Sequence, residues 1–221
     1  MSKSKEIVVV MHGLINTPLT MMKAQRAFKK AGYDVANWGY NSLRGNLHEQ
    51  IARLGSRVHE LKGYDKVHGV GHSQGGLMLR GIFSKYENKL PLGRLVMQGT
   101  PNKGAGIVKR HNWLFRRGPL NFPIVHDLGE DSDAIRKLPI PKMEIGIIAG
   151  VERLHPINPI TWINTLTLGE EPHDGTVEAR NTRLEQMKDY LEVPVNHLVL
   201  PFNRDVLDAS IRFIQTGKFK S

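Results

Sequence analysis

The stretch Lys66-Val67-His68-Gly69-Val70-Gly71-His72-Ser73-Gln74-Gly75-Gly76 decides the fold. Lys66 to Gly71 reads as a short strand, and Gln74 to Tyr86 carries a helical pattern. Between them Gly71 and Gly75 bracket Ser73 in a Gly-x-Ser-x-Gly turn. Such a turn holds its serine in a strained conformation with the hydroxyl exposed. The flanking positions need glycine, because side chains there would collide with backbone as strand and helix close on each other. Working outward, Ile7-Val8-Val9-Val10-Met11 is a continuous apolar run, typical of a strand buried on both faces of a parallel sheet. Residues 17–31 read as a helix, with Thr17 as its cap, Pro18 in its first turn and Gly32 past its end. Tyr33 to Trp38 reads as a second strand, and Leu47, Ile51, Leu54, Val58 and Leu61 form one face of a helix closed by Gly63. Arg94–Gln98, Glu144–Ala149 and residues 188–195 supply further strands. A closing helix spans 204–217, with Leu207, Ile211 and Ile214 on one side. The alternation predicts a mostly parallel sheet of about six strands with helices on both faces, a fold that binds ligands at the carboxyl ends of its strands.

The chain has 221 residues, of which 40% are hydrophobic and 24% charged, and this suits one well-buried core spanning 1–221 as a single domain. Cysteine is absent, which excludes disulfides, thiolate metal sites and cysteine nucleophiles. No stretch approaches the ~20 apolar residues of a membrane helix, and no secretory pattern precedes or follows Ile7–Met11. The expected location is therefore cytoplasmic. The net charge of +10 comes from 31 Lys+Arg against 21 Asp+Glu, scattered along the chain rather than run together. That reads as a basic surface, and no nucleic-acid partner is expected. The nearest approach to a patch is 109–117, Lys-Arg-His-Asn-Trp-Leu-Phe-Arg-Arg.

Ser73 is the candidate nucleophile. The helix starting at Gln74 points its positive end at the serine, where negative charge would develop during attack on a carbonyl. A serine hydroxyl also needs a positioned imidazole to take its proton and a carboxylate to fix that imidazole. Ten histidines are available. His12 and His72 sit inside motifs and read as structural, whereas His197 follows the last predicted strand. Two carboxylates compete, Asp174 and Glu152, the latter just after the Glu144–Ala149 strand.

Four segments carry a resemblance: Val10-Met11-His12-Gly13-Leu14, the 71–76 turn, Gln98-Gly99-Thr100-Pro101-Asn102-Lys103-Gly104, and His173-Asp174-Gly175-Thr176-Val177 with Asn196-His197-Leu198 downstream. Together they resemble the α/β-hydrolase superfamily, and within it the small bacterial lipases and esterases. The resemblance implies the chain order serine, acid, histidine, which favours Asp174 as the acid and His197 as the base. It also implies an oxyanion hole made by the backbone N–H groups of Gln74 and Leu14, with Thr100-Pro101-Asn102 shaping a loop beside the site. Both donations use the main chain, so the side chains of Gln74 and Leu14 need not matter. No cofactor or metal is expected, since the acidic residues of 127–133 lack an EF-hand spacing and no phosphate-binding glycine motif occurs.

The implied activity is hydrolysis of a small-molecule carboxylic ester, with a short- to medium-chain acyl group, through an acyl-enzyme. The alternatives are acyl transfer or thioester or amide cleavage by the same triad, and a catalytically silent binding module. Residues 105–140 form the longest stretch between two strands and are a candidate cap. Within it 113–125 would wall the acyl pocket, and Lys109, Arg110, Arg116 and Arg117 on its rim would give weak association with an anionic membrane surface. The plainer expectation is that its aromatic residues pack onto the sheet while the basic ones are solvated.

Overall fold

The β-branched run at the start of the chain forms a central strand because its alternate side chains enter two separate apolar layers. Ile7, Val9 and Met11 join one buried cluster, and Val8 and Val10 join the other. A computed structural model describes residues 4–111, 118, 121–130, 132–153 and 170–220. Its six strands are β1 (Glu6–Met11), β2 (Asp34–Asn37), β3 (Lys66–His72), β4 (Leu92–Gln98), β5 (Glu144–Gly150) and β6 (Asp189–Val193). They pair in the order β2-β1-β3-β4-β5-β6, every pair parallel. The fold is a single parallel sheet with an apolar layer and helices on each face, as the strand–helix alternation predicts. The chain steps outward from β1 to β2 and then returns to the other side of β1, so the order reverses between β1 and β3. That reversal opens a crevice at their carboxyl ends.

Helices α1 (Met22–Lys30), α2 (Leu47–Gly55) and α3 (Gln74–Lys85) follow the first three strands. Two of the expected helices are shorter than their periodicity suggests. Residues Pro18–Met21 form a 3₁₀ turn before α1, since the Thr17 side chain makes no capping bond and Pro18 has no N–H to give. Helix α2 likewise gives way to a 3₁₀ segment, Ser56–Leu61, where Ser56 Oγ bonds back to Arg53 O at 2.8 Å. Its start is firm: Asn46 and Glu49 form a reciprocal capping box.

After β4 come α4 (Gly106–Arg110), α5 (Pro123–Asp127) and α6 (Asp133–Arg136), after β5 comes α7 (Ala179–Thr182), and after β6 comes α8 (Arg204–Thr216). Ile107, Val108, Ile124, Val125 and Leu128 are buried in the layer that holds α2 and α3, so the described part of 105–140 is packed onto the sheet. Burial of each such side chain stabilises the fold by roughly 1.5–3 kcal/mol. Arg110 is engaged by the carboxylate of Glu178, 2.9 Å away and 1% exposed, rather than by solvent alone. Of the expected pocket wall 113–125, Trp113, Leu114, Phe115, Arg116, Arg117, Pro119 and Leu120 lie outside the described residues. Among the described residues no helix is long and apolar enough to cross a membrane.

Polar groups inside this core are placed by specific bonds. Arg80 on α3, 3% exposed, donates to Leu138 O, to Pro139 O at 3.2 Å and to Asn102 Oδ1 at 3.2 Å. It therefore ties α3 to the loop after β4. His12, His68, His72 and His173 are all buried. His68 accepts the Arg94 N–H at Nδ1 (2.9 Å) and donates from Nε2 to Glu6 (3.1 Å).

Burial pushes the pKa of each of these four histidines below the ordinary value. Unfolded, all four would titrate near about 6.5. Folded, they take up protons only at lower pH, so the unfolded state binds more protons as pH falls through that value. Stability is then fully present above pH ~6.5 and lost progressively below it. The urea-unfolding midpoint should fall from pH 7.5 to pH 5, as the unfolding free energy drops by up to about 1.4 kcal/mol per pH unit for each histidine. A midpoint that stays constant across this window would contradict neutral burial.

Candidate active site

The carboxyl end of β3 runs directly into α3, and the approach is too close for side chains. A Cβ on Gly71 would lie 2.5 Å from Gly76 Cα, and one on Gly75 would lie 2.4 Å from Met11 O. Ser73 at the apex adopts φ 54°, ψ −125°, a conformation that costs a non-glycine residue on the order of 1–3 kcal/mol. Its N–H donates to Gln98 O of β4 at 2.8 Å, which fixes the apex to the neighbouring strand. Ser73 is half-buried, whereas the residues on both sides of it are buried.

Asp174 and His197 come together from the loops that follow β5 and β6. Asp174 is 0% exposed and His197 5%. In the Asp174-Gly175-Thr176-Val177 turn, Asp174 Oδ1 accepts the N–H groups of Thr176 (3.0 Å) and Val177 (2.8 Å), and Gly175 supplies the positive φ. Those bonds leave Oδ2 to face His197 Nδ1 at 2.7 Å, and the His197 N–H also donates to Asp174 O at 2.9 Å. A carboxylate only accepts, so Nδ1 carries the proton and Nε2 keeps a bare lone pair. The pair sits against the end of β4, where a Cβ on Gly99 would lie 3.1 Å from both Asp174 Oδ2 and His197 Nδ1. Asn196 shapes the histidine-bearing turn, its side chain accepting from Leu198 N and its carbonyl from Val199 N. Glu152 is exposed, and its backbone carbonyl is what receives Asn196 Nδ2 at 3.4 Å. The structure thus brings Asp174, not Glu152, to the imidazole.

The loop after β1 closes on the same place. A Cβ on Gly13 would lie 2.9 Å from Ser73 Cβ, so Leu14 follows directly beside the serine. The N–H groups of Leu14 and Gln74 donate to no described residue and remain open to a third group. His12 braces this loop: Nδ1 donates to Gly13 O at 2.9 Å, the ring stacks on Tyr40 at 4.5 Å, and Tyr40 OH donates to His12 O at 2.9 Å. Ser42 Oγ accepts the Ile15 N–H at 2.9 Å.

Contrary to expectation, the Gln74 side chain is not idle. It is 0% exposed, and its Nε2 donates to Gln50 Oε1 at 2.7 Å and to Ser42 O at 3.4 Å. Tyr40, Ser42 and Gln50 were thus missed as supports of the site. The one legible signal was Gln50, a polar residue on the apolar face marked by Leu47, Ile51 and Leu54. Thr100 and Asn102 are buried and shape the loop after β4, with Asn102 Nδ2 donating to Thr182 O at 2.8 Å. Among the described residues no group of three or more His, Asp or Glu side chains could hold a metal ion. This constellation can generate an alkoxide-like serine and offer two N–H donors to an oxyanion, the requirements of acyl transfer.

The sequence pattern of the family described as palmitoyl protein thioesterase matches residues 7–134. No curated protein sequence matches the chain. Among solved structures, Bacillus licheniformis lipase BlEst2 in its mature form aligns with a TM-score of 0.76 at 18% identity, covering 98% of this chain and 94% of the lipase. Against the propeptide form of that lipase the TM-score is 0.74 at 18% identity over 95% of this chain, and the chain spans about half (51%) of its length. The metagenomic carboxyl esterase MGS0156 aligns at 0.65, with 17% identity over 90% of this chain and 66% of its own. The lin2722 gene product of Listeria innocua aligns at 0.63, with 17% identity over 99% of this chain and 96% of its own. At these identities the structures establish the shared fold.

The Asp174–His197 geometry makes a prediction independent of turnover. In ¹⁵N-histidine spectra, His197 should hold the Nδ1–H tautomer. Asp174→Asn, whose amide can donate, should shift it toward Nε2–H, while Glu152→Gln leaves it unchanged. The same tautomer in all three proteins would show that Asp174 does not orient the ring.

Proposed function

Since the chain belongs to the palmitoyl protein thioesterase family and is a serine hydrolase of the α/β-hydrolase superfamily, we propose that it cleaves carboxylic esters through an acyl-enzyme on Ser73. The observation that carries this reading is the buried 2.7 Å pair of Asp174 and His197, whose histidine carbonyl meets His72, the residue before a serine held at positive φ. Ser73 Oγ attacks the ester carbonyl while His197 Nε2 takes its proton. Asp174 holds the Nδ1–H and stabilises the imidazolium that forms. The tetrahedral oxyanion accepts from the N–H groups of Gln74 and Leu14. The imidazolium then protonates the departing alcohol. Water enters, gives a proton to His197 and releases the acid by the reverse sequence.

A second reading, thioester cleavage, is favoured by the family itself. The same attack applies, but a thiolate leaves with less need of a proton than an alkoxide does. Short- to medium-chain acyl groups, a cytoplasmic location and weak attraction to anionic surfaces through Lys109, Arg110, Arg116 and Arg117 complete the proposal.

Ser73→Ala should lower ester turnover by roughly 10³-fold or more at unchanged melting temperature. Near-normal turnover in a folded variant would falsify the nucleophile assignment. Matched butyryl and octanoyl esters and thioesters then separate the two readings. Higher kcat/KM on the oxygen esters supports the first, and higher kcat/KM on the thioesters supports the second.

A further inference from the structure

His72, the residue before the serine, is not used in the mechanism above, yet it is 1% exposed and packed against the catalytic base. Its Nε2 lies 2.9 Å from the carbonyl oxygen of His197. A carbonyl only accepts, so His72 Nε2–H is the donor. The two imidazole rings pack with centroids 4.8 Å apart at 47°. Among the described residues no other group donates to the His197 carbonyl. The opposite ring edge meets the oxyanion loop: a Cβ on Gly13 would lie 3.2 Å from His72 Nδ1, and that buried nitrogen has no hydrogen-bond partner among the described residues.

Among the described residues His197 is thus held by three hydrogen bonds. Two run to Asp174, from its ring Nδ1 (2.7 Å) and its backbone N–H (2.9 Å). These orient the ring and join it to the loop after β5, not to the strand that carries the nucleophile. Only the third, from His72, reaches the strand that carries the serine. Since His72 and Ser73 share a peptide bond, whatever fixes His72 to His197 fixes base to nucleophile.

We propose that His72 is a positioning residue, which sets the spacing between Ser73 and His197 through a single hydrogen bond to the backbone carbonyl of the base. The proposal rests on Ser73 and His197 acting as nucleophile and base. Burial holds the His72 ring neutral by lowering its pKa well below the ordinary value, so it adds no positive charge beside the imidazolium that forms on His197. It shapes the site without taking part in proton transfer. A misplacement of about 1 Å between reacting groups can cost on the order of 10²-fold in rate.

The test replaces the donor by an apolar aromatic ring, then restores the donor. His72→Phe should lower kcat 30- to 100-fold on a chemistry-limited ester, with KM within about twofold. His72→Gln, whose amide nitrogen reaches about as far as Nε2, should keep kcat within about fivefold of the parent. His72→Asn, whose amide is too short, should resemble the Phe variant. If the Phe variant does not fold, the Gln and Asn pair carries the same comparison. In a His197→Ala background the Phe change should have no further effect, because a residue acting through the base loses its influence once the base is gone. Gln as impaired as Phe or Asn, a Phe variant with unchanged kcat, or a further loss in the His197→Ala background would each overturn the proposal. Undiminished turnover by His197→Ala itself would overturn the underlying assignment as well, which separates the two failures.

Discussion

Strand β3 and helix α3 approach so closely at their junction that backbone meets backbone, and most of the site's geometry descends from that contact. At Gly71 and Gly75 there is no room for a Cβ. The chain between them can turn only by placing Ser73 in a region that L-residues avoid. Strain of this kind persists only where the surroundings over-determine it. They do so here: Leu77, Met78, Leu79, Ile82 and Phe83 of α3 are fully buried, and Arg80 anchors the helix to three acceptors across 102–139. The hydroxyl is presented because the fold allows the backbone no relaxed alternative.

Around that apex the other groups are carried by ends of different strands, and short polar links bring them to register. His12 and Tyr40 hold the loop after β1, Gln50 and Ser42 hold the Gln74 side chain, and Asp174 holds His197. The buried carboxylate of Glu178 is a further link. It pairs with Arg110 on α4, accepts Gly106 N–H at 3.3 Å and sits four residues after Asp174. The start of the 105–140 segment is thereby tied to the loop that carries the acid.

Much of this was legible in the sequence, for identifiable reasons. Continuous apolar runs announce strands buried on both faces, and all six strands fall where such runs or their weaker counterparts lie. The serine turn was legible because glycine spacing encodes a steric requirement directly. Helix ends were less so: periodicity continues from α2 into the 3₁₀ segment after Gly55, since Val58 and Leu61 still face the core although the backbone bonding has changed. Support by Tyr40, Ser42 and Gln50 has no spacing rule, because it joins residues from separate loops whose meeting depends on the finished sheet. The bond from His72 to the His197 carbonyl spans most of the chain and uses a backbone acceptor, which no side-chain pattern records.

The central claim is that Ser73 is the activated nucleophile, and the most direct measurement is covalent. The protein would be treated with a fluorophosphonate, followed by intact mass and peptide mapping. The account predicts a single adduct on the peptide containing Ser73, lost in Ser73→Ala and formed far more slowly in His197→Ala. An adduct on another serine that survives in Ser73→Ala, or a folded parent protein that takes up no label, would contradict it.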